Sequence, residues 1–450
     1  MITSFHAWSY GDHWERLPML EQLIRPVSGN TPSFANLQEL GLPWLLVGSP
    51  RLLSALPSML QRDRSPWPNA LSVFPPGNIR KLSLHLDNAV FPTHAPLMAS
   101  IGARFPRLIS LDISNFPIGI AWKDGISAGV RGIPHLRELM VNVEPSIIET
   151  LIADLKYFRE LRILHMELHT GHYFHTPDTN VQEKGISIQQ RPDDPPLQFP
   201  LDVFLTGNDN VGQVESAVSA LSANSIRLAS LSVSMDLQAH RENPLLPITG
   251  MIAKNYPDIL HLTLRYFTTS PKNQNKPNIF VISADLLVPL LPLINITELD
   301  IRTSSTMILD KDTLHSIQGQ WPSIRFCHFS LEVYPLSIST SHKLPNLVDV
   351  VTFASRCRYL RTLGIVLDAT APPKPEETLN VFSKTLASLN VGSSPISDSR
   401  YAAKIIGGGF PLLDDLLWTT EEFPRELRMR DEERTNWEMV RSLVFLKIAS

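Results

Sequence analysis

The sequence is poor in cysteine and in long apolar runs. Its 450 residues include only two cysteines, Cys327 and Cys357, which is too few for a disulfide framework and favours a reducing compartment. No run approaches the roughly 18 consecutive apolar residues of a membrane helix, and the N-terminal stretch MITSFHAWSYGDHWERLP lacks the apolar core of a signal peptide. We therefore expect a cytoplasmic or nuclear protein.

The chain also lacks an excess or a block of positive charge. Forty Lys and Arg residues against 44 Asp and Glu residues give a formal net charge of -4 at pH 7. Without a basic block to follow phosphates or anionic lipid, we expect neither nucleic acid nor a membrane as a partner. A hydrophobic content of 43% over this length predicts a large core, arranged in several domains or in repeats.

A short apolar motif recurs along most of the chain. In FPRLISLDIS the apolar residues Leu108, Leu111 and Ile113 fit the spacing L-x-x-L-x-L. Further copies begin at Leu37, Ile79, Leu136, Leu161, Leu228, Ile259, Ile296, Ile324, Leu360, Leu386 and Leu413. Most intervals lie between 25 and 37 residues, close to the length of a leucine-rich repeat, and the interval of 67 after Leu161 predicts one repeat with an insertion at about 169–210.

The segments between these motifs have helical periodicity. PSIIETLIADL, SADLLVPLLPL and DKDTLHSIQG each place apolar residues on one face, and Ser283 and Asp310 are N-cap candidates. One strand and one helix per repeat must stack on neighbours to bury both faces. The predicted fold is therefore an α/β leucine-rich-repeat solenoid, or horseshoe, with a parallel concave sheet, convex helices and irregular repeat length. Repeats are expected over 34–420 and a C-terminal cap helix over 421–450, with Trp437, Val440 and Val444 on one face.

Three motifs resemble catalytic or cofactor sites, and each has a simpler interpretation. GISAG matches the G-x-S-x-G nucleophile elbow, but Ser127 is predicted to lie within a helix with Asp124 as its N-cap rather than after a buried strand. Gly407-Gly408-Gly409 lacks the Lys-Ser/Thr of a phosphate-binding loop and predicts a helix C-terminal stop. Both cysteines are expected to be buried as small apolar residues. We expect no enzymatic activity and no cofactor.

The stretch HMELHTGHYFHTPD is rich in metal-binding residue types. His165 and His169 would stand about 13 Å apart on an extended strand, so they cannot share one ion. His169, His172, His175 and Asp178 could still converge where the strand meets the predicted insertion. The favoured interpretation is a rim of a protein-binding surface with no metal, and a metal site remains the remote alternative.

Strand residues that alternate with the apolar positions should face outward on the concave sheet. They are candidates for contacts with a protein partner, although most are expected to be solvated. The candidate residues on this face and its rim are His85, Asp112, Asn142, His165, Glu167, His169, His172, Arg265, Asp300, Arg302 and His328.

Strands of the form F-P-x-L-x-x-L-x-L, the late II-GGG-FPLL unit and Trp437-Glu438-Met439-Val440 resemble the F-box/leucine-rich-repeat proteins of mushroom-forming fungi. The resemblance implies a non-catalytic repeat arc that holds the substrate of an SCF-type ubiquitin ligase. In that family an F-box of about forty residues, opening with an L-P-x-E-L-L-like helix, docks the Skp adaptor of a cullin ligase. Here LPMLEQLI is followed at once by RPVSGNTP, so we expect 1–33 to be an N-terminal cap or a truncated F-box remnant.

Two interpretations of function therefore remain open. The first is a protein-binding scaffold similar to the substrate-recognition arm of an F-box protein, with Skp adaptor and cullin as partners only if an F-box is present. The second is an adaptor without an F-box, or a truncated gene product, with no ligase role. A hydrolase or a metal-binding protein is a remote alternative.

Overall fold

The structure of the chain is a computed structural model. It describes residues 4–6, 39–43, 78–85, 101–118, 127–168, 199–208, 211–236, 245–267, 284–303, 309, 311–329, 344–370, 381–418 and 431–448. The chain divides into two compact units, which are treated separately below. Unit 1 comprises Met1–Thr206 and Ser219–Arg227, and unit 2 comprises Gly207–Val218 and Leu228–Ser450.

Unit 1 is built on strands that neighbour one another in chain order. They are β1 Ser4–His6, β2 Glu39–Pro43, β3 Lys81–His85, β4 Ser110–Ile118, β5 Glu138–Val143, β6 Ile163–Leu168 and β7 Leu201–Asn208, of which the last two residues fall in unit 2. The pairings from β1 through β6 are all parallel. Parallel neighbours in sequence order require a crossover connection after each strand, as a repeat of one strand plus one helix provides.

Unit 2 repeats the same arrangement. Its strands are β8 Leu228–Asp236, β9 His261–Phe267, β10 Glu298–Thr303, β11 Phe326–Phe329, β12 Thr362–Gly364, β13 Ser388–Asn390 and β14 Asp415–Leu417. Each pairs in parallel with the next. All twelve copies of the apolar motif coincide with strands, so the prediction of an α/β fold on a parallel sheet is confirmed.

Helices occupy many of the connections. The α-helices of the described residues are α1 Ser127–Arg131, α2 Ile148–Asp154, α3 Val211–Ala223, α4 Leu245–Asn255, α5 Lys311–Ile317, α6 Leu347–Arg356, α7 Ser399–Gly409 and α8 Asp431–Ile448. Short 3-10 segments cover Pro145–Ile147, Leu155–Tyr157, Ala284–Leu286 and Val288–Leu290. Residues 101–104 are also helical.

Local side chains explain where two of these helices begin. Asn346 caps α6 by accepting a hydrogen bond from the Asp349 amide at 2.9 Å, while the Asp349 carboxylate accepts from the Asn346 amide at 3.1 Å. This reciprocal pair satisfies two backbone N–H groups that a helix start would otherwise leave unpaired. Asp398 caps α7 through the amides of Arg400 and Tyr401. Asp124, Ser283 and Asp310, the predicted caps, lie outside the described residues.

In seven of the repeats a buried residue stands three positions before the first apolar residue of the motif and closes a turn. The amide of Leu108 donates to the Phe105 carbonyl at 3.0 Å, and the amide of Ile324 donates to the Trp321 carbonyl at 3.2 Å. Phe158, Tyr256, Leu293, Cys357 and Phe410 occupy the same position in their repeats and make the same bond. An aromatic residue and a proline at this point therefore end one connection and start the next strand, as the F-P dipeptides predict.

The core follows the alternation expected for strands. In β6 the side chains of Leu164, Met166 and Leu168 are buried, whereas His165 and Glu167 between them are partly exposed. The connections supply the other apolar layer, because Ile147, Ile148, Leu151, Ile152 and Leu155 of PSIIETLIADL are all buried. The predicted apolar face of that segment is thus confirmed.

Two predictions about local structure were wrong. The interval of 67 residues is not one repeat with a long insertion, because it contains the additional strand β7, whose Leu201, Val203 and Leu205 are buried. Within the predicted N-terminal cap, β1 pairs with β2. SADLLVPLLPL forms 3-10 turns rather than an α-helix, because Pro289 and Pro292 cannot donate α-helical hydrogen bonds.

The final helix, α8, packs against α7 in unit 2. Trp437, Val440 and Val444 are buried, as their spacing predicts. The indole Nε1 of Trp437 donates to the Ser394 carbonyl at 2.9 Å, so the polar edge of this buried ring is satisfied. This helix buries its apolar stripe at the end of the repeat series, where an unpaired repeat would otherwise expose its core.

Candidate protein-binding face

The strand residues that alternate with the buried row form the polar face of each unit. In unit 1 the central row of this face runs through Ser83, Asp112, Met140 and His165, which are register partners on β3 to β6. In unit 2 it runs through Ser232, Thr263, Asp300, His328 and Gly364 on β8 to β12. Parallel register therefore places residues from consecutive repeats side by side, although they are well separated in the sequence.

Two aromatic contacts stand out on unit 1. The rings of His165 and Phe204 stack with centroids 4.3 Å apart and planes 5° from parallel. The Arg162 guanidinium lies over the Phe199 ring, with Cζ 4.4 Å from its centroid. Phe204 is 36% exposed and Phe199 39% exposed. Partly exposed aromatic rings with restricted side-chain freedom are the residue type that most often anchors protein interfaces.

Neither phenylalanine was a candidate from the sequence, because β7 was taken for an insertion. The signal that could have found them is the alternation in LDVFL, where buried Leu201, Val203 and Leu205 leave Phe204 on the opposite face. Burial lowers the pKa of the His165 imidazole below its ordinary value, although Glu138 and Asp112 oppose that change. A neutral His165 ring suits stacking on Phe204.

The other unit 1 candidates have mixed environments. Asp112 accepts a hydrogen bond from the Ser83 hydroxyl at 3.0 Å. Asn142 is 3% exposed, and its Oδ1 has no hydrogen-bond partner among the described residues. Its register neighbours are Pro117 and Glu167. Asn142 is therefore an exception to the expectation that most residues of this face are solvated.

Unit 2 carries a charged cluster centred on Asp300. Its Oδ1 accepts a hydrogen bond from Arg302 Nε at 3.0 Å and lies 3.3 Å from His328 Nδ1. Its Oδ2 lies 3.8 Å from Arg265 Nη2. Burial acts to raise the pKa of the Asp300 carboxyl, but the adjacent His328 imidazole and Arg302 guanidinium outweigh burial and hold that pKa below its ordinary value.

The His328 ring lies flat over the next strand. A Cβ added at Gly364 would overlap the His328 ring, so only glycine leaves room for this packing. Phe326, on the same strand, stacks on the His328 ring with centroids 5.8 Å apart. Asp300 is 7% and His328 9% exposed. Both residues are therefore exceptions to the expectation that most candidates on this face are solvated.

The remaining rim candidates lie wholly or partly outside the described residues. His85 is the last residue of β3, and its side chain lies outside the described residues. His169, His172, His175 and Asp178 also lie outside the described residues. Within the part of the chain that the structure describes, no three His, Cys, Asp or Glu side chains are grouped so as to hold a metal ion.

The G-x-S-x-G motif has a packing role in the structure. Ser127 is helical, as predicted, and its buried hydroxyl donates to the Asp154 carboxylate, which also pairs with Arg131. A Cβ at Gly102 would meet the carbonyl oxygen of Gly129 and lie 2.7 Å from the carbonyl carbon of Gly132. These glycines therefore permit a close approach of two backbone segments.

The triplet Gly407-Gly408-Gly409 forms the last turn of α7 rather than a stop after it. Gly407 and Gly408 have open space around them, whereas a Cβ at Gly409 would lie 2.5 Å from Val351 Cγ2. Gly409 thus allows α7 to pack closely on α6.

Both cysteines are buried free thiols, as predicted. Burial raises the pKa of the Cys327 thiol well above its ordinary value. Burial likewise raises the pKa of Cys357 to about 11, against an opposing backbone hydrogen bond at Gly319. Thiols with raised pKa values are poor nucleophiles near neutral pH, since the thiolate is the reactive species.

No helix in the described part of the chain is long and apolar enough to cross a membrane. No protein-family model matches the chain, and no curated protein matches it. The case for a function therefore depends on the repeat pattern and on the geometry of the polar face.

Proposed function

We propose that the chain is a non-catalytic leucine-rich-repeat scaffold of horseshoe form that binds a protein partner through the polar face of its sheet. In this proposal it acts like the substrate-recognition arm of an SCF-type F-box protein. The twelve L-x-x-L-x-L motifs, each on a parallel strand, support the repeat architecture. The observation that carries the binding role is the His165–Phe204 stack, a partly exposed aromatic pair on that face.

The stack has the properties of an interface anchor. Phe204 already has one ring face fixed against His165, so little side-chain freedom remains to be lost when a partner covers it. Interface anchors of this kind contribute about 2 kcal/mol or more when they are removed. A Phe204→Ala change should therefore weaken partner binding by at least about thirty-fold.

Affinity capture of the full chain tests this proposal. Tagged wild type, Phe204→Ala and Phe382→Ala are expressed from the same vector, and co-purified proteins are quantified by mass spectrometry. Phe382 is the matched control because its ring is 48% exposed and belongs to unit 2 rather than to unit 1. We expect a partner that is depleted with Phe204→Ala and retained with Phe382→Ala, while thermal unfolding shows that all three proteins are folded.

Identical sets of co-purified proteins with all three baits would reject the polar face of unit 1 as the binding surface. The same experiment addresses the ligase role. Recovery of a Skp adaptor and a cullin with wild type would support the SCF-type interpretation, whereas a specific partner without either would support the adaptor that has no F-box.

A further inference from the structure

The charged cluster of unit 2 has two arginines but one carboxylate among the described residues. Arg265 and Arg302 are register partners on β9 and β10 and lie side by side on the polar face. The backbones of two adjacent strands are about 4.8 Å apart. Asp300 is the one carboxylate in contact with them among the described residues. The next acidic group on β10, Glu298, starts that strand about 13 Å from Arg302 and lies instead against His261.

The two guanidinium groups also differ in their hydrogen bonds to Asp300. Arg302 hydrogen-bonds Asp300 through Nε, but Arg265 reaches Asp300 only at 3.8 Å, and its buried Nε has no hydrogen-bond partner in the described part of the chain. Each guanidinium carries five N–H donors in a planar fork, which suits an oxyanion with two acceptor oxygens. Both Asp300 oxygens are engaged within the cluster, and the arginine side chains are 43% and 39% exposed, so their remaining N–H donors are accessible to an acceptor from outside the chain.

We infer that Arg265 and Arg302 form a binding site for an oxyanion carried by an acidic segment of a protein partner. The inference rests on the proposed protein-binding function and names the chemistry of the partner. Asp300 holds the two like charges together and orients them, and the partner's carboxylate or phosphate group supplies the second negative charge. The chemistry is the same for both groups, since each offers paired oxygens to a guanidinium fork.

Purified protein and short peptides test the site without knowledge of the natural partner. Fluorescein-labelled hexaglutamate and a labelled serine peptide with two phosphoserines are titrated with full-length protein in about 50 mM salt, and binding is followed by anisotropy. The tighter of the two peptides identifies the source of the oxyanion. Exposed ion contacts are screened at high salt, so affinity should fall steeply towards about 1 M salt.

A matched pair of double variants separates the site from net charge. Arg265→Gln with Arg302→Gln should weaken peptide binding at least about ten-fold, because each charge-assisted hydrogen bond contributes more than a neutral one. Arg325→Gln with Arg361→Gln removes the same charge from two exposed arginines of unit 2 and should change affinity less than about two-fold.

Asp300→Asn guards against a loss of binding caused by misfolding. Removing this negative charge leaves both guanidinium groups uncompensated, so peptide affinity should rise, and thermal unfolding establishes that the variant is folded. Equal loss in the two double variants, no binding of either peptide by wild type, or a single-stranded oligonucleotide bound more tightly through the same arginines would overturn the inference. Each of these results can occur while the Phe204-dependent partner is still captured, so the two proposals fail separately.

Discussion

Alanine at Gly102 should destabilise the protein although it improves helix propensity. Gly102 lies in the helical residues 101–104, where the change to alanine alone would stabilise by about 1 kcal/mol. The new Cβ, however, would meet the Gly129 carbonyl oxygen and approach the Gly132 carbonyl carbon and Cα to 2.7 and 2.8 Å, whereas ordinary van der Waals contact begins at 3.4 Å. The obstacles are backbone atoms, which cannot move aside by a rotamer change.

The net effect follows from these two terms. Overpacking a close contact costs about 1–3 kcal/mol, and sometimes more where relief requires two backbone segments to separate. Because the obstacles are backbone atoms we take the upper end of that range, about 3 kcal/mol. Less the propensity gain of about 1 kcal/mol, this leaves a loss of about 2 kcal/mol in the free energy of unfolding, equivalent to about 4–8 °C in melting temperature for a unit of this size. Gly250 is the matched control, because it lies in α4 with nothing within 4 Å of its Cβ position. Gly250→Ala should stabilise by about 0.5–1 kcal/mol.

Thermal and urea unfolding followed by circular dichroism measure the two variants. Because repeat proteins can unfold in parts, hydrogen exchange of peptides from β4 and β5 reports on the region around Gly102 directly. Exchange there should accelerate in Gly102→Ala and stay unchanged in Gly250→Ala. If Gly102→Ala is as stable as wild type, or if both variants shift in the same direction, the glycine contact does not control this packing.

Three further predictions concern the core and its charges. Trp437→Ala should lower the free energy of unfolding by about 3–5 kcal/mol, because it leaves a cavity at a buried site. Urea denaturation measures this change. Trp437→Phe keeps most of the side-chain volume and should lower the free energy of unfolding far less, so equal decreases in the two variants would contradict this. Native protein at pH 8 should resist iodoacetamide at Cys327 and Cys357 while urea-unfolded protein reacts, since burial raises both thiol pKa values; rapid native labelling would show that the thiols are accessible. Because the Asp300 pKa is lowered on folding, its stabilising contribution is complete above its unfolded value near about 4 and is lost as pH falls through the folded value. The difference in melting temperature between wild type and Asp300→Asn should therefore shrink as pH falls below about 4; a difference as large at about pH 3 as at about pH 5 would refute this.

The pattern of apolar residues was sufficient to place most of the sheet. Every L-x-x-L-x-L copy lies on a strand because burial selects apolar side chains at alternate positions, and that selection is visible in one sequence. β7 was not predicted, because Pro200 stands just before it and the acidic, proline-rich stretch PDDPP shortly before that is typical of a loop. β1 was not predicted, because a strand of three residues is too short to show a periodic pattern of apolar residues.

The candidate site was predicted only as a set of alternating positions. Phe199 and Phe204 were missed together with their strand, and Asn142 was assigned to a solvated face although it is buried. Gly364 could not be related to His328, since the two residues meet only because β11 and β12 pair in one particular register. The alternation of apolar and polar residues indicates on which side of a strand a side chain lies. It does not indicate which side chains pack over that residue.

The sequence by itself determined the buried row, the aromatic turns such as Phe105 and Trp321, and the apolar stripe of the final helix, since each depends on spacing within a few residues. Only the tertiary structure decided which polar residues act together. Asp300 lies against Arg265 from the preceding strand and His328 from the following one. Those contacts depend on the parallel register of strands about thirty residues apart in the chain, and short-range spacing carries no record of that register.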